Sequence, residues 1–513
     1  AKWTLMVYLS GNNDLSGRAY DNLVDMQSVG STDDVKVVVQ MKRRHSTVDD
    51  GHCRRYLVTK AVGATLLPSL VKDLDEDRKN TPGSKIDMGR PDALVDFVSW
   101  AMDTYPADRF ALVLWGHGHG WKESSPAVVS FDGVCVDEWF MHGLSALDIR
   151  DALDRVEHRP NKPSKKLALL GFDACLMQMI EVAYECCGKC SMIVGSEANI
   201  PPRGWPYSAI IRALALGPKM DAEQLAKSIV EAYCDDFKDY KEDGHPKSTT
   251  LSALRADMVP VVADRIGAFA SVLERDGSAV RDAYADCCKY ECLDYLDLFH
   301  LARLLERSSY GPLKDAAAAV ASIQSTLTAA NAPHGEDLVD SYGMSIYFPR
   351  PEIYTLFKER YRSLSFGALN GWGAFLESDF YRSLTLIACL DRLEMLATVD
   401  EANSRGFAQF DPVFLKTELS TVVAYLQGTV KNSERRGTLA TLPLLPQLNR
   451  EATVSHDLTV LNSISWVNGD IPILKSVRDD AKAAYGRLWT RAQTSIGPER
   501  PYREYGLQAL PNY

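Results

Sequence analysis

Two uninterrupted apolar runs constrain this chain more than any other feature: FALVLW at Phe110 to Trp115 and LALLGF at Leu167 to Phe172. An apolar run without alternation suits a strand covered on both faces, the situation inside a parallel sheet sandwiched by helices. Shorter runs at Thr4 to Leu9, Val35 to Val39 and Met192 to Val194 are separated by amphipathic stretches, so strand and helix alternate along the text. Further helices are expected at Ala222 to Tyr240 and Val259 to Glu274, and MSIYFP at Met344 to Pro349 predicts a late strand. The expected class is α/β with a mostly parallel central sheet. Beyond about Phe375 the pattern changes. Leu384 to Thr398 and Phe414 to Gln427 read as helices, and Asn432 to Asn449 is rich in Thr, Leu, Pro and Arg. This places an expected boundary near 380, with a main domain at 1–380 and a largely helical segment of unknown role at 381–513.

Composition narrows the function classes. Apolar residues make up 46% and charged residues 24%, which excludes wholesale disorder. A formal charge of −11 disfavours a nucleic-acid binder, whose footprint should be basic. No apolar run approaches the ~18 residues of a membrane helix. Ala1 to Ser10 reads as a strand rather than an export signal, compatible with a lost leader. Eleven cysteines is an odd number, so at least one thiol is free or paired with another chain. Six of them form two clusters, Cys186, Cys187 and Cys190, then Cys287, Cys288 and Cys292, without the doubled C-x-x-C of a zinc finger.

The chemistry collects at the ends of the two long apolar strands. The first runs into Gly116-His117-Gly118-His119-Gly120, where the glycines let a ligand approach the backbone. The second runs into Asp173, Ala174 and Cys175, followed by LMQMIEVAYE, which reads as a helix opening at Cys175. Ligands of an open parallel sheet bind at the carboxyl ends of its strands, so His117 and Cys175 share one crevice if the strands are neighbours. A capping-box-like start at Ser145 and Asp148 predicts the crossover helix that would make them neighbours. An imidazole can take and return the proton of an attacking thiol, and a helix N-terminus would favour the thiolate. The backbone N–H groups of Gly118 and Cys175 are candidate donors to an oxyanion. Two other readings stand beside this one: a buried structural cysteine, and a metal pair formed by His117 and His119.

Taken together, MVYLSGNNDL at 6 to 15, DNLVDMQSVGSTDDVKVVVQ at 21 to 40, LWGHGHGW, GFDACLMQMIEVAYE, VGSEANIPPRGWPY at 194 to 207, SYGMSIYFP at 341 to 349 and GWGAFL at 371 to 376 resemble the clostripain-like cysteine peptidases. These are relatives of caspases, gingipains and legumain. The resemblance implies a caspase-like α/β/α sandwich and peptide-bond hydrolysis by a Cys-His dyad, with His117 and Cys175 catalytic and His119 a cleft-wall residue. It implies that Asp173 reads Arg or Lys before the scissile bond, with helix capping as its structural alternative. Pro206, where some relatives carry an acid, and the positive Arg203 weaken that expectation. It further implies self-cleavage between the two motifs, where Lys122, Arg155, Arg159, Lys162, Lys165 and Lys166 are candidates, a secreted or envelope location, and a possible calcium response. The chemistry itself requires no metal. The alternatives are a catalytically silent caspase-like binding module and a zinc-dependent hydrolase using His117 and His119.

Overall fold

The computed structural model describes residues 1–378 and 381, apart from 47–48, 62–68, 79–80, 123–132, 243, 293 and 350. Its centre is a nine-stranded sheet. In chain order the strands are β1 (Trp3–Gly11), β2 (Val35–Arg43), β3 (Arg54–Leu57), β4 (Ser69–Asp73), β5 (Arg109–Trp115), β6 (Leu167–Asp173), β7 (Cys190–Gly195), β8 (Ser252–Arg255) and β9 (Thr328–Asn331). They lie side by side as β9-β8-β7-β6-β5-β1-β2-β3-β4. From β7 to β2 every pairing is parallel, and the strands outside that block add antiparallel edges. The expected apolar strands are this parallel block. β5 is the clearest case: every residue from Phe110 to Trp115 is buried.

Alternate side chains of each strand face opposite layers. Trp3, Leu5, Val7 and Leu9 of β1, with Ala111, Val113 and Trp115 of β5, join one core. Helices α1 (Ser16–Gln27), α5 (Tyr207–Leu216) and α6 (Ala222–Phe237) close this core through Leu23, Ile210, Ile211 and Phe237. On the other face Met6, Tyr8, Leu112, Leu114 and Phe172 are also buried. Helices α2 (Pro91–Thr104), α3 (Ala146–Glu157), α4 (Ile180–Cys186) and α7 (Val259–Leu273) form the second layer, in which α2 meets β1 and α3 bridges α2 and α4. The α/β/α sandwich is therefore the observed architecture.

The crossover helix behaves as its sequence predicts. Ser145 Oγ accepts the Asp148 N–H while the Asp148 carboxylate accepts the Ser145 N–H, a complete capping box at the start of α3. It joins β5 to β6, which pair in parallel register with Trp115 opposite Asp173. The run at Met344 to Pro349 does form a strand, Ser345–Tyr347, but it pairs antiparallel with Tyr295–Asp297 outside the main sheet. The sheet and its helices belong to one compact unit, Ala1–Gly373. The expected segment 381–513 lies outside the described residues apart from Tyr381, and so do its two expected helices. Among the described residues no helix is long and apolar enough to cross a membrane.

Candidate active site

Neighbouring strand ends bring the two motifs together. Gly116 N–H continues the ladder by donating to the Asp173 carbonyl at 3.3 Å, which carries the β5–β6 pairing past the strand end. His117 and Cys175 then follow at one rim. Gly118 lies against the cysteine so closely that a Cβ there would stand 2.4 Å from the Cys175 carbonyl oxygen and 3.1 Å from its nitrogen. Only glycine allows that approach. Among the described residues neither the Gly118 nor the Cys175 N–H donates to a backbone carbonyl. His117, Gly118, His119, Asp173 and Cys175 all line one cleft of about 740 Å³.

The turn that carries Cys175 differs from the sequence expectation. Cys175 does not open a helix, because α4 begins only at Ile180, with Met179 as its N-cap residue. Between them Leu176 takes a left-handed φ of 63°. The loop after β7 pins the turn: Leu176 N–H donates to Ala198 O (3.2 Å) and Gln178 N–H to Ser196 O (3.0 Å). These bonds direct the chain along the rim rather than into a helix. No helix N-terminus is therefore available to lower the thiol. Burial instead pushes Cys175 up to about 11, the Ile200 N–H to its sulfur (3.3 Å) opposes this, and the charges of Glu291 and Asp173 add to the rise. At neutral pH that favours the thiol form of Cys175 over the thiolate.

His117 is held by a carboxylate from another strand's end. Its Nε2 is hydrogen-bonded to Asp14 Oδ1, at the turn between β1 and α1. Partial burial works to raise the Asp14 carboxyl, but the hydrogen bond and charge of His117 outweigh it and leave it below the usual range. The motifs assign Asp14 no role, yet β1 pairs with β5, so the turn after β1 reaches the same rim. His119 lines the cleft, and burial together with the charge of His117 drops its imidazole to about 4. Among the described residues, the side chains that could jointly hold a metal ion are Asp154, Glu157 and His158, none of which lines the cleft. His117 and His119 gain no third partner of that kind there. Among the described residues every cysteine, both clusters included, is a free thiol.

Asp173 does not cap a helix. It is 3% exposed, and Oδ2 accepts from the Trp205 N–H and the Tyr207 O–H, both at 2.9 Å. Burial raises its carboxyl to about 7, against the pull of those two bonds. Its other oxygen, Oδ1, is buried without a partner, and so is Oδ1 of the neighbouring Asn22. Gly204, at φ +71°, keeps the space open: a Cβ there would meet Asp173 Oδ2 and Asn22 Oδ1, each at 2.9 Å. Arg203 is turned away to α6, where its guanidinium pairs with Asp236 (2.6 Å) and lies 4.2 Å over the Phe237 ring. Its charge is therefore spent outside the pocket.

The clostripain family model matches residues 7–379. The chain belongs to the clostripain family. Clostripain of Hathewaya histolytica is 24% identical over 201 residues, 36% of this chain and 36% of that protein, so the match spans about a third of that relative. Two solved structures share the fold. A secreted C11 cysteine protease of Bacteroides thetaiotaomicron, in complex with an irreversible peptide inhibitor, gives a TM-score of 0.53 at 19% identity over 73% of this chain and 100% of its own. An inactive zymogen C11 protease from Parabacteroides distasonis gives 0.53 at 19% identity over 71% of this chain and 97% of its own. Within this clostripain-family chain, Asp14 and Asn22 are the site neighbours the motifs did not point to. The signal was topological: Asp14 follows the carboxyl end of the strand paired with β5, and Asn22 lies on α1, the helix which that strand leads into.

Proposed function

We propose that the chain is a cysteine endopeptidase in which Cys175 attacks the peptide carbonyl and His117 moves the proton. The observation that carries this reading is the meeting of His117, Gly118 and Cys175 on one rim of the parallel block, in one cleft. Because the thiol rests protonated, its proton passes to His117 as the S–C bond forms, and His117 then protonates the departing amine. The N–H groups of Gly118 and Cys175 receive the oxyanion. Water, deprotonated by His117, hydrolyses the thioester and restores the thiol. The reaction so drawn uses no metal ion.

We place a basic side chain, Arg or Lys, in the pocket before Asp173, because an orphaned carboxylate oxygen at 3% exposure is matched by a buried cation rather than by an apolar group. Self-processing belongs to the same proposal and is supported by the zymogen state of a relative. Of the candidate cleavage residues, Lys122 is 8% exposed and ion-paired with Asp294, and Arg155 pairs with Asp92 at 2.8 Å. Lys162 pairs with Asp103 at 3.1 Å. Export is supported only by the secreted relative.

One experiment tests the whole. Fluorogenic peptides with Arg, Lys or a neutral residue before the cut are offered to wild type and Cys175→Ala, with an iodoacetamide-type alkylator in one arm and a chelator in another. Loss with the alkylator and with Cys175→Ala supports a thiol peptidase. Loss with the chelator that zinc alone restores would replace it with a zinc hydrolase, and restoration by calcium would mark a calcium-activated thiol enzyme. No turnover in any form would make the chain a silent binding module. Two fragments from wild type and one intact chain from Cys175→Ala would establish self-processing, and equal intact masses would remove it.

A further inference from the structure

The hydrogen bond between Asp14 and His117 has a role that a dyad leaves unassigned. Asp14 sits in the turn after β1, and that turn is built rather than loose. Asn13 Nδ2 donates to Ser10 O (3.0 Å) and Val136 O (2.9 Å), while Asn13 Oδ1 accepts the Leu15 N–H (3.0 Å). Since β1 pairs with β5 through Leu9 and Trp115, the turn emerges beside the His117 loop. That loop is tied down in its own right by Cys135 N–H to His117 O (3.2 Å) and His119 N–H to Gly133 O (2.8 Å). Asp14 itself is not among the cleft-lining residues, whereas Leu15 and His117 are. It touches the imidazole from outside the cleft lining.

We propose that Asp14 is the positioning residue of this site: its carboxylate accepts the Nε2 hydrogen of His117, fixes the ring, and leaves Nδ1 to carry the proton between Cys175, the leaving amine and water. The inference rests on the peptidase reading for its rate consequence, though not for its geometry. As the Cys175 sulfur bonds to the carbonyl carbon, the thiol proton goes to Nδ1. When the C–N bond breaks, the same proton goes to the amine nitrogen. Water then gives a proton to Nδ1 as its oxygen attacks the thioester, and that proton returns to the departing sulfur. In each half the imidazolium is transient, and the Asp14 charge faces it across the Nε2–H bond. A purely structural role explains the pair poorly. The Asp14 side chain is 69% exposed, an exposed ion pair contributes little to stability, and α1 uses no side-chain cap. The other titratable or charged groups near the pair are His119 on the same loop, lowered to about 4, and Arg44 just past β2, ion-paired with Glu138.

The test uses the full chain as wild type, Asp14→Ala, Asp14→Asn and Asp14→Glu, with Cys175→Ala as control. The expected result is a kcat about 10²-fold lower for the Ala and Asn variants, KM within about threefold, unchanged thermal unfolding, and partial recovery with Glu. In parallel, the ¹⁵N spectrum of His117 should show the Nε2–H tautomer in wild type and lose it in Asp14→Ala. A kcat within threefold of wild type for Asp14→Ala would overturn the proposal, and so would an Nδ1–H tautomer in wild type. Should wild type turn over no faster than Cys175→Ala, the peptidase reading fails, and the tautomer spectrum still decides whether Asp14 positions the ring.

Discussion

Replacing Asp173 by Asn is the sharpest probe of what the cleft selects. The amide keeps an oxygen for the Trp205 N–H and the Tyr207 O–H, so the local scaffold survives, while the negative charge and the unpartnered oxygen are lost. For a bound Arg or Lys this removes one partner of a buried ion pair, a loss of about 3–5 kcal/mol. At about 1.4 kcal/mol per factor of ten, kcat/KM for a basic substrate should fall by roughly 10²-fold to several thousandfold. A matched peptide with a neutral, similarly long residue should change by less than about threefold, because uncharged binding asks nothing of the carboxylate. The ratio of the two kcat/KM values is the observable, since it cancels groups that act on both substrates alike. That ratio also has a pH dependence with a fixed sign. Burial lifts Asp173 to about 7, so the carboxyl is neutral below that pH and the basic preference grows as pH rises through it. Between pH 6 and 8 the ionised fraction of a group titrating there rises about tenfold, and the wild-type ratio should rise with it. The Asn variant should show a flat ratio. A wild-type ratio independent of pH, or an Asn variant that retains the preference for Arg and Lys, would refute the assignment of Asp173 to the pocket.

The remaining expectations concern the thiol, the backbone and stability. With Cys175 raised to about 11, alkylation of the substrate-free enzyme should keep accelerating beyond pH 9, and a plateau below pH 8 would show that the thiolate is preformed. Gly118→Ala puts a methyl group 2.4 Å from the Cys175 carbonyl oxygen, so kcat should fall about 10²-fold; a kcat within threefold of wild type would show that the approach is not needed. Asp173, Glu181 and Glu197 are buried carboxyls raised to about 7, 7 and 8, so the folded chain holds protons that the unfolded chain releases above pH 4–5. Their contribution is fully present below that range and is lost as pH rises towards 8; a melting temperature that climbs over the same interval would contradict it. Asp137→Ala strands the buried Lys42 ammonium, now 2.6 Å from its carboxylate, and should cost about 3–5 kcal/mol in denaturant titrations, whereas a loss under 1 kcal/mol would mean Lys42 finds water.

How much of this was legible depended on whether the determining contacts were local. The strands β1, β2, β5, β6 and β7 announce themselves because both faces are buried and the run is continuously apolar. The antiparallel strands beyond that block do not: RRYL at Arg54–Leu57, between β2 and β4, carries two arginines, one ion-paired with Asp50 and Asp73 and the other reaching Asp96 and Gln40. The side chain that is buried there is Arg55, satisfied by ion pair, hydrogen bond and the Trp100 ring, so burial leaves no hydrophobic signature to read. The capping box at Ser145 and Asp148 was visible for the opposite reason, being complete within four residues. The false helix at Cys175 arose because LMQMIEVAYE has no glycine or proline to mark a break. The left-handed Leu176 and its bond to Ala198 come from a different strand's loop.

The neutral thiol is where local reading and tertiary structure diverge most, and it changes what the site must do. A preformed thiolate would ask little of the histidine until the amine departs. A thiol raised to about 11 is less than about 1% ionised at pH 8, so in the proposed mechanism proton transfer accompanies attack. The imidazole then has to be aimed before chemistry begins, and a bond to Asp14 from its ring, the Cys135 N–H to its carbonyl and the His119 tie to Gly133 hold it and its loop. The same burial that suppresses the thiolate keeps Asp173 half-ionised near neutrality. Docking a cation there would lower the carboxyl and release a proton while covering the cleft from water. On this account substrate charge and nucleophile activation are linked through one desolvated rim, and a basic peptide should speed alkylation-sensitive turnover more than its affinity alone explains. Equal kcat for basic and neutral peptides, with all discrimination in KM, would break that link.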